Sequence, residues 1–244
     1  MQSSLIIIPC YNESKRLPIS QYESFFNSKK GSQLDFLFVN DGSSDNTIEV
    51  LRTLEQKYTN VKVLDLDKNV GKAEAIRQGM LRSVDLDYPY LGYFDADLAT
   101  PLEEINRLLE MTKKTPEPFL VMGSRVKLLG YSDIQRKLSR HYIGRVFATV
   151  VSNMLKLSVY DTQCGAKLIQ RKVAFSLFEE PFLSKWLFDV ELLFRLKKYD
   201  KNFDTRVVEV PIQKWEDVAG SKISTSYFLK APLDLLRIYF SYNK

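Results

Sequence analysis

A single histidine, His141, and two cysteines, Cys10 and Cys164, are all that this 244-residue chain offers of the side chains that most often ligate zinc. They stand far apart, without metal-ligand spacing, so zinc sites and histidine-based acid/base constellations are excluded and reduced thiols are the default. Long apolar runs are missing too: no stretch reaches the roughly 18 uninterrupted apolar residues of a spanning helix. Met1-Gln2-Ser3-Ser4, ahead of a short apolar run closed by Pro9, has neither the length nor the charge of a signal peptide. The expectation is a chain on the cytoplasmic side, without leader or transmembrane helix, attached at most peripherally to a membrane. Strong charge of one sign is also absent. A formal +5 suits a phosphate-bearing ligand or an anionic bilayer surface but is too weak to argue for nucleic acid. No disorder signature appears, and 45% hydrophobic residues are enough for one large α/β domain or two small ones.

What is present centres on Tyr90-Leu91-Gly92-Tyr93-Phe94-Asp95-Ala96-Asp97, an apolar, aromatic run ending in two carboxylates. It reads as a buried strand that delivers acids to its carboxyl end, where ligands bind in open α/β sheets. Carboxylates two residues apart on a strand, about 7 Å, repel by roughly 2 kcal/mol at an effective dielectric near 20. A hard divalent cation, Mg²⁺ or Mn²⁺, relieves that repulsion. The plainer alternative makes both acids turn residues, or Asp97 the cap of a helix starting near Pro101.

The chain around this stretch alternates. Leu5 to Ile8, Leu34 to Val39, Val61 to Leu66 and Phe119 to Met122 read as strands, and Ser14 to Ser28, Ile48 to Tyr58 and Gly71 to Leu81 as helices. Such alternation predicts a doubly wound, mostly parallel sheet flanked by helices. The loops after the first, second and fourth strands then open on one edge, gathering Glu13, Asp41, Asp95 and Asp97 in one crevice. Lys72, at a helix start, is either a phosphate ligand or an ordinary exposed lysine.

Four pieces, Pro9-Cys10-Tyr11-Asn12-Glu13, Val39-Asn40-Asp41-Gly42-Ser43-Ser44-Asp45, Asn69-Val70-Gly71-Lys72 and Asp95-Ala96-Asp97, stand in the order of the family 2 glycosyltransferases. The chain resembles that family from about Leu5 to Lys222. Gly123-Ser124-Arg125, Asp161-Thr162-Gln163-Cys164-Gly165-Ala166-Lys167 and Trp186-Leu187-Phe188-Asp189-Val190-Glu191 make it most similar to the polyprenyl-phosphate sugar synthases, the dolichyl-phosphate glucose synthases before the mannose synthases. The resemblance implies a GT-A nucleotide-sugar fold and an inverting hexosyl transfer from a nucleoside diphosphate sugar, UDP-glucose before GDP-mannose, to a polyprenyl phosphate. It also implies a donor site drawn from Pro9, Tyr11, Glu13, Asp41, Lys72, Asp95, Ala96, Asp97, Ser221 and Lys222, with the metal on Asp95 and Asp97. Departures stand beside it: Ala99 replaces a glutamine that helps hold the metal in mannose synthases, and Ala73-Glu74 replaces a small glycine pair.

Arg125 follows a strand and aims at the same crevice. Gln135 to Leu157 reads as an amphipathic helix whose basic half carries Arg136 and Arg140, either an interfacial element gripping the acceptor headgroup or a core helix with a solvated basic end. Asp189 heads a helix running from Trp186 to Lys198. A phosphate acceptor is already ionised near neutral pH, so Asp189 is assigned to positioning, whereas a sugar-hydroxyl acceptor needs it as a base. The expected division is a catalytic domain over 1–222 and an aromatic-rich tail over 223–244, a second interfacial helix or a homodimer contact. A catalytically silent nucleotide-sugar binding protein is the rival from another class.

Overall fold

The computed structural model describes residues 4–135, 138–216, 218 and 225–243. In chain order the first half contains β1 (Leu5–Cys10), α1 (Ile19–Phe26), β2 (Asp35–Asp41), α2 (Thr47–Lys57), β3 (Val61–Leu66), α3 (Lys72–Leu81), β4 (Tyr90–Phe94) and α4 (Glu104–Met111). The second half contains β5 (Leu120–Ser124), β6 (Asp133–Gln135), α5 (Leu138–Leu155), β7 (Ala166–Gln170), α6 (Arg171–Phe178), α7 (Phe188–Tyr199), β8 (Val207–Pro211), β9 (Lys214–Glu216) and α8 (Thr225–Tyr242).

Seven strands form one sheet in the order β3-β2-β1-β4-β7-β5-β8. Every neighbouring pair is parallel except those made by β7, which runs antiparallel between β4 and β5. β1 is central and apolar throughout because both its faces are covered. Ile6 and Ile8 join the aromatic cluster of Tyr22, Phe26, Phe36 and Phe38 on one face, and Leu5 and Ile7 join the cluster under α3, α6 and α7 on the other. β6 and β9 make a separate two-stranded ladder.

The mostly parallel α/β architecture agrees with the sequence pattern, and the boundaries differ for local reasons. The expected helix over 135–157 is Leu138–Leu155, because Gln135 is taken by β6 in register with Glu216. The helix ends before Lys156, whose φ of 56° leaves the helical region. α1 begins only after Pro18, since Ser14 gives its N–H and hydroxyl to Asp45 and holds the preceding residues in a loop. β2 continues two residues past Val39, where Asn40 donates to Asp65 on β3 (2.7 Å). At the turn after β2, Gly42 has φ +57° and a Cβ there would lie 2.2 Å from the backbone of Lys68, so only glycine lets these two loops touch.

Candidate active site

The carboxyl ends of β1, β2 and β4 meet at one edge of the sheet, and the loops that leave them are laced together by their own polar side chains. Asn12 accepts from the Ser44 N–H (2.9 Å), its own N–H donates to the Ser43 hydroxyl (3.0 Å), and the Glu13 N–H donates to the Thr47 hydroxyl (2.8 Å). Asp45 accepts from the Thr47 N–H at the start of α2 (3.1 Å), so one aspartate both caps a helix and ties down the loop after β1. Tyr22, buried beneath, donates its hydroxyl to the Ala96 carbonyl (3.1 Å) and fixes the turn that carries Asp95 and Asp97.

Each acid at this edge has its own surroundings. Asp41, buried at the end of β2, accepts from the N–H groups of Val70 (2.7 Å) and Gly71 (2.9 Å) and from the Asn69 amide (3.0 Å). Burial raises its pKa, and those backbone donors offset the rise only in part. Asp95 forms an ion pair with Lys72 from the start of α3. Burial lowers the Lys72 pKa, but the charges of Asp95 and then Asp189 outweigh it and the ammonium is held protonated. Asp97 accepts from the Ala99 N–H (3.1 Å) and faces the Arg16 guanidinium at 4.0 Å, which in turn lies 3.7 Å from Glu13. Removal from water, then the neighbouring Asp95 charge, raises the Asp97 pKa. The turn-residue reading of Asp97 is therefore correct for one oxygen, while the helix-cap reading is not: α4 begins at Glu104, beyond its reach.

The second half brings Arg125 and Asp189 to the same place by different means. Arg125, immediately after β5, makes a two-pronged pair with Asp161 (2.6 and 2.8 Å), and its backbone N–H donates to the same carboxylate (3.0 Å). Its guanidinium also lies over the Trp215 ring. Burial alone raises the Asp161 pKa, but the Arg125 charge and hydrogen bonds prevail and hold it down at about 2. Asp189, in the first turn of α7, accepts from the Tyr93 hydroxyl on β4 and from Lys167 on β7. Lys167 is fully buried and saturated, donating also to the carbonyls of Thr162 (3.0 Å) and Cys164 (2.7 Å).

The structure thus gathers Pro9, Tyr11, Glu13, Asp41, Lys72, Asp95, Ala96 and Asp97 at one sheet edge, with the charges of Arg125 and Asp189 close enough to act on it. Arg136, Ser221 and Lys222 lie outside the described residues, and for Arg140 only its place in α5 is described. Sequence reasoning left Arg16, Tyr93, Asp161 and Lys167 without roles. Lys167 and Asp161 carried a signal, a lysine inside an apolar strand and an acid opening a quoted motif. Arg16 carried none, because its partner in the acid pair, Asp97, lies far away in sequence.

A family model described as glycosyl transferase family 2 matches residues 5–178. The chain belongs to this family of glycosyltransferases. It is similar to a dolichyl-phosphate beta-glucosyltransferase of Dictyostelium discoideum, 32% identical over 97% of this chain and 74% of that protein. It is also similar to one of Trichomonas vaginalis, 31% identical over 95% and 69%, and to one of Saccharomyces cerevisiae, 30% identical over 97% and 74%. Among solved structures, glucosyl-3-phosphoglycerate synthase from Mycobacterium tuberculosis, in complex with Mn²⁺, UDP and glucosyl-3-phosphoglycerate, superposes with a TM-score of 0.68. That match covers 97% of this chain and 80% of that one at 16% identity, and it shows the shared GT-A fold.

Proposed function

We propose that this chain transfers glucose, with inversion, from UDP-glucose to a dolichyl or other polyprenyl phosphate. The observation that carries the reading is the likeness to dolichyl-phosphate beta-glucosyltransferases over nearly the whole chain. The geometry of the site supports it. A nucleoside diphosphate needs acceptors for its ribose and base and cations for its phosphates, and Asp41 at the end of β2, Lys72 at the start of α3 and Arg16 in the loop after β1 stand at the sheet edge where such a donor lies in open α/β sheets.

Asp95 and Asp97 fit a hard divalent ion. Among the described residues no group of three or more His, Cys, Asp or Glu side chains is arranged to hold a metal. Two carboxylates completed by water and diphosphate oxygens are the usual minimum for Mg²⁺ or Mn²⁺. Burial first, and the Asp95 charge second, raise the Asp97 pKa, and a bound cation would oppose both. When bound, the ion supplies neutralisation of the charge that develops on the departing diphosphate.

The other residues align the reactants. Lys72 moves its charge between Asp95 and the diphosphate. Arg125, held rigid by Asp161, presents its remaining N–H groups to the acceptor phosphate. Asp189 fixes Lys167 and Tyr93 beneath the reaction centre, and an ionised phosphate acceptor asks no proton abstraction of it. Among the described residues no helix is long and apolar enough to cross a membrane. Exposed Tyr142, Ile143, Val146 and Val150 on α5, with Leu233, Leu236 and Phe240 on α8, supply the apolar faces that would rest on a bilayer. In this reading α8, within the tail, is an interfacial helix whose Leu235 and Ile238 are buried in the core of the catalytic domain.

Incubating purified protein and Mn²⁺ with UDP-glucose or GDP-mannose, each with a short dolichyl phosphate or a free sugar, tests the proposal. Glucosyl phospholipid from UDP-glucose alone is expected. Transfer from GDP-mannose would replace the donor, and transfer to a sugar hydroxyl would replace the acceptor and make Asp189 a base.

A further inference from the structure

We infer that Gly165 is a positioning residue for the Asp95 carboxylate: its missing side chain is the space in which that carboxylate sits. A Cβ built on Gly165 would lie 2.0 Å from Oδ2, 2.3 Å from Cγ and 2.5 Å from Oδ1 of Asp95, all far inside contact distance. The backbone does not require glycine here, since φ at 165 lies outside the left-handed region. Close approach is therefore what the residue provides. The same backbone holds Asp95 from its other end, where the Asp95 N–H donates to the Gly165 carbonyl (3.1 Å). One peptide segment thus sets both the main chain and the carboxylate of the acid that faces Lys72.

The neighbours of Gly165 extend the argument. Asp161 grips Arg125 and Lys167 grips Asp189, so the segment 161–167 touches three groups of the site that arrive on three different elements. It acts as a template: Asp161 and Lys167 work by charge and hydrogen bonds, and Gly165 by making room. A carboxylate is the mobile end of its side chain, so an added methyl group displaces it rather than the β4 backbone. Displacement changes where the Asp95 carboxylate stands relative to Asp97 and to any ion shared between them, as happens when the support behind a metal ligand is lost.

The inference rests on the metal-holding role proposed for Asp95 and Asp97, and two measurements keep their failures apart. Calorimetric titration of UDP with and without Mn²⁺ should show that Gly165→Ala lowers the Mn²⁺-dependent affinity at least tenfold and leaves metal-free UDP affinity within twofold. Equal Mn²⁺-dependent affinity in variant and parent overturns the inference. The second measurement needs no metal. Alanine at 165 should lower the melting temperature of the parent but not of Asp95→Ala, in which the colliding atoms are gone. Should Gly165→Ala fail to fold, the double variant with Asp95→Ala should still fold and melt as Asp95→Ala does. An equal cost of alanine at 165 in both backgrounds overturns the inference. A parent whose UDP affinity ignores Mn²⁺ overturns the metal reading instead, and the thermal comparison then decides Gly165 alone.

Discussion

The acids proposed for the donor and the groups proposed for the acceptor are both charged and both set at one edge of one sheet, yet Asp97 and the Arg125 and Asp189 pairs are held in opposite ways. Arg125 has a two-pronged carboxylate partner at hydrogen-bond distance, and Asp189 has two donors on a single oxygen. Asp97 has one backbone N–H and a guanidinium 4.0 Å away, and its pKa is raised, whereas that of Asp161 is held at about 2. Folding pairs Arg125 and Asp189 closely and leaves Asp97 with a single backbone donor and a guanidinium beyond hydrogen-bond distance. The contrast fits the proposed chemistry, in which the donor would bring a cation and a diphosphate that must enter and leave, while the acceptor phosphate would need a fixed cationic cradle.

The difference can be broken most severely at Asp97. Asp97→Asn should lower turnover at saturating Mn²⁺ and donor by about 10²-fold or more, the usual scale for losing a group that stabilises leaving-group charge. Its unfolding midpoint in urea should stay at or above that of the parent, because a repelled carboxylate has been removed. Asp161→Asn should do the reverse to stability. Breaking a buried pair from one side costs about 3 kcal/mol, since the Arg125 charge is left uncompensated, and urea unfolding reads it directly. The pH dependence has a definite sign. A carboxyl lowered in the fold contributes stability fully above its ordinary value of 3.8 and loses it as the pH falls through about 2. The gap between parent and Asp161→Asn should therefore narrow between those values. For Asp97 the shift is upward, so its ionisation opposes folding as the pH rises past the ordinary carboxylate range. The smallest effect is expected away from the crevice. Ile143→Ser with Val146→Ser, two exposed residues of α5, should weaken cosedimentation with anionic vesicles several-fold and leave metal-dependent UDP binding unchanged.

The two halves also differ in how much of them the sequence discloses. β1, β2, β3 and β4 are short apolar runs with helices between them, so their order and parallel direction follow from pattern and from right-handed crossovers. Asp95 and Asp97 stand out because two acids closing such a run repel each other, and it is their company in sequence, four motifs in order, that sets them apart from ordinary turn residues. β7 is hidden: its antiparallel direction between β4 and β5 has no local signature, and Lys167, a lysine among apolar residues, hints at burial without disclosing its three acceptors. Asp161, Arg16 and Tyr93 act through partners 36, 81 and 96 positions away, and spacing carries no information over such distances. The end of β6 at Gln135 was concealed by the helical periodicity that follows it.

In the proposed reading Asp97 is an acid that awaits a cation. UDP titrated calorimetrically into the unmodified chain and into Asp97→Asn, each with and without Mn²⁺, tests that most directly. The account predicts at least a tenfold gain in UDP affinity on adding Mn²⁺ to the unmodified chain and none in the variant, with equal affinities in the absence of metal. An equal Mn²⁺-dependent gain in both proteins would contradict it.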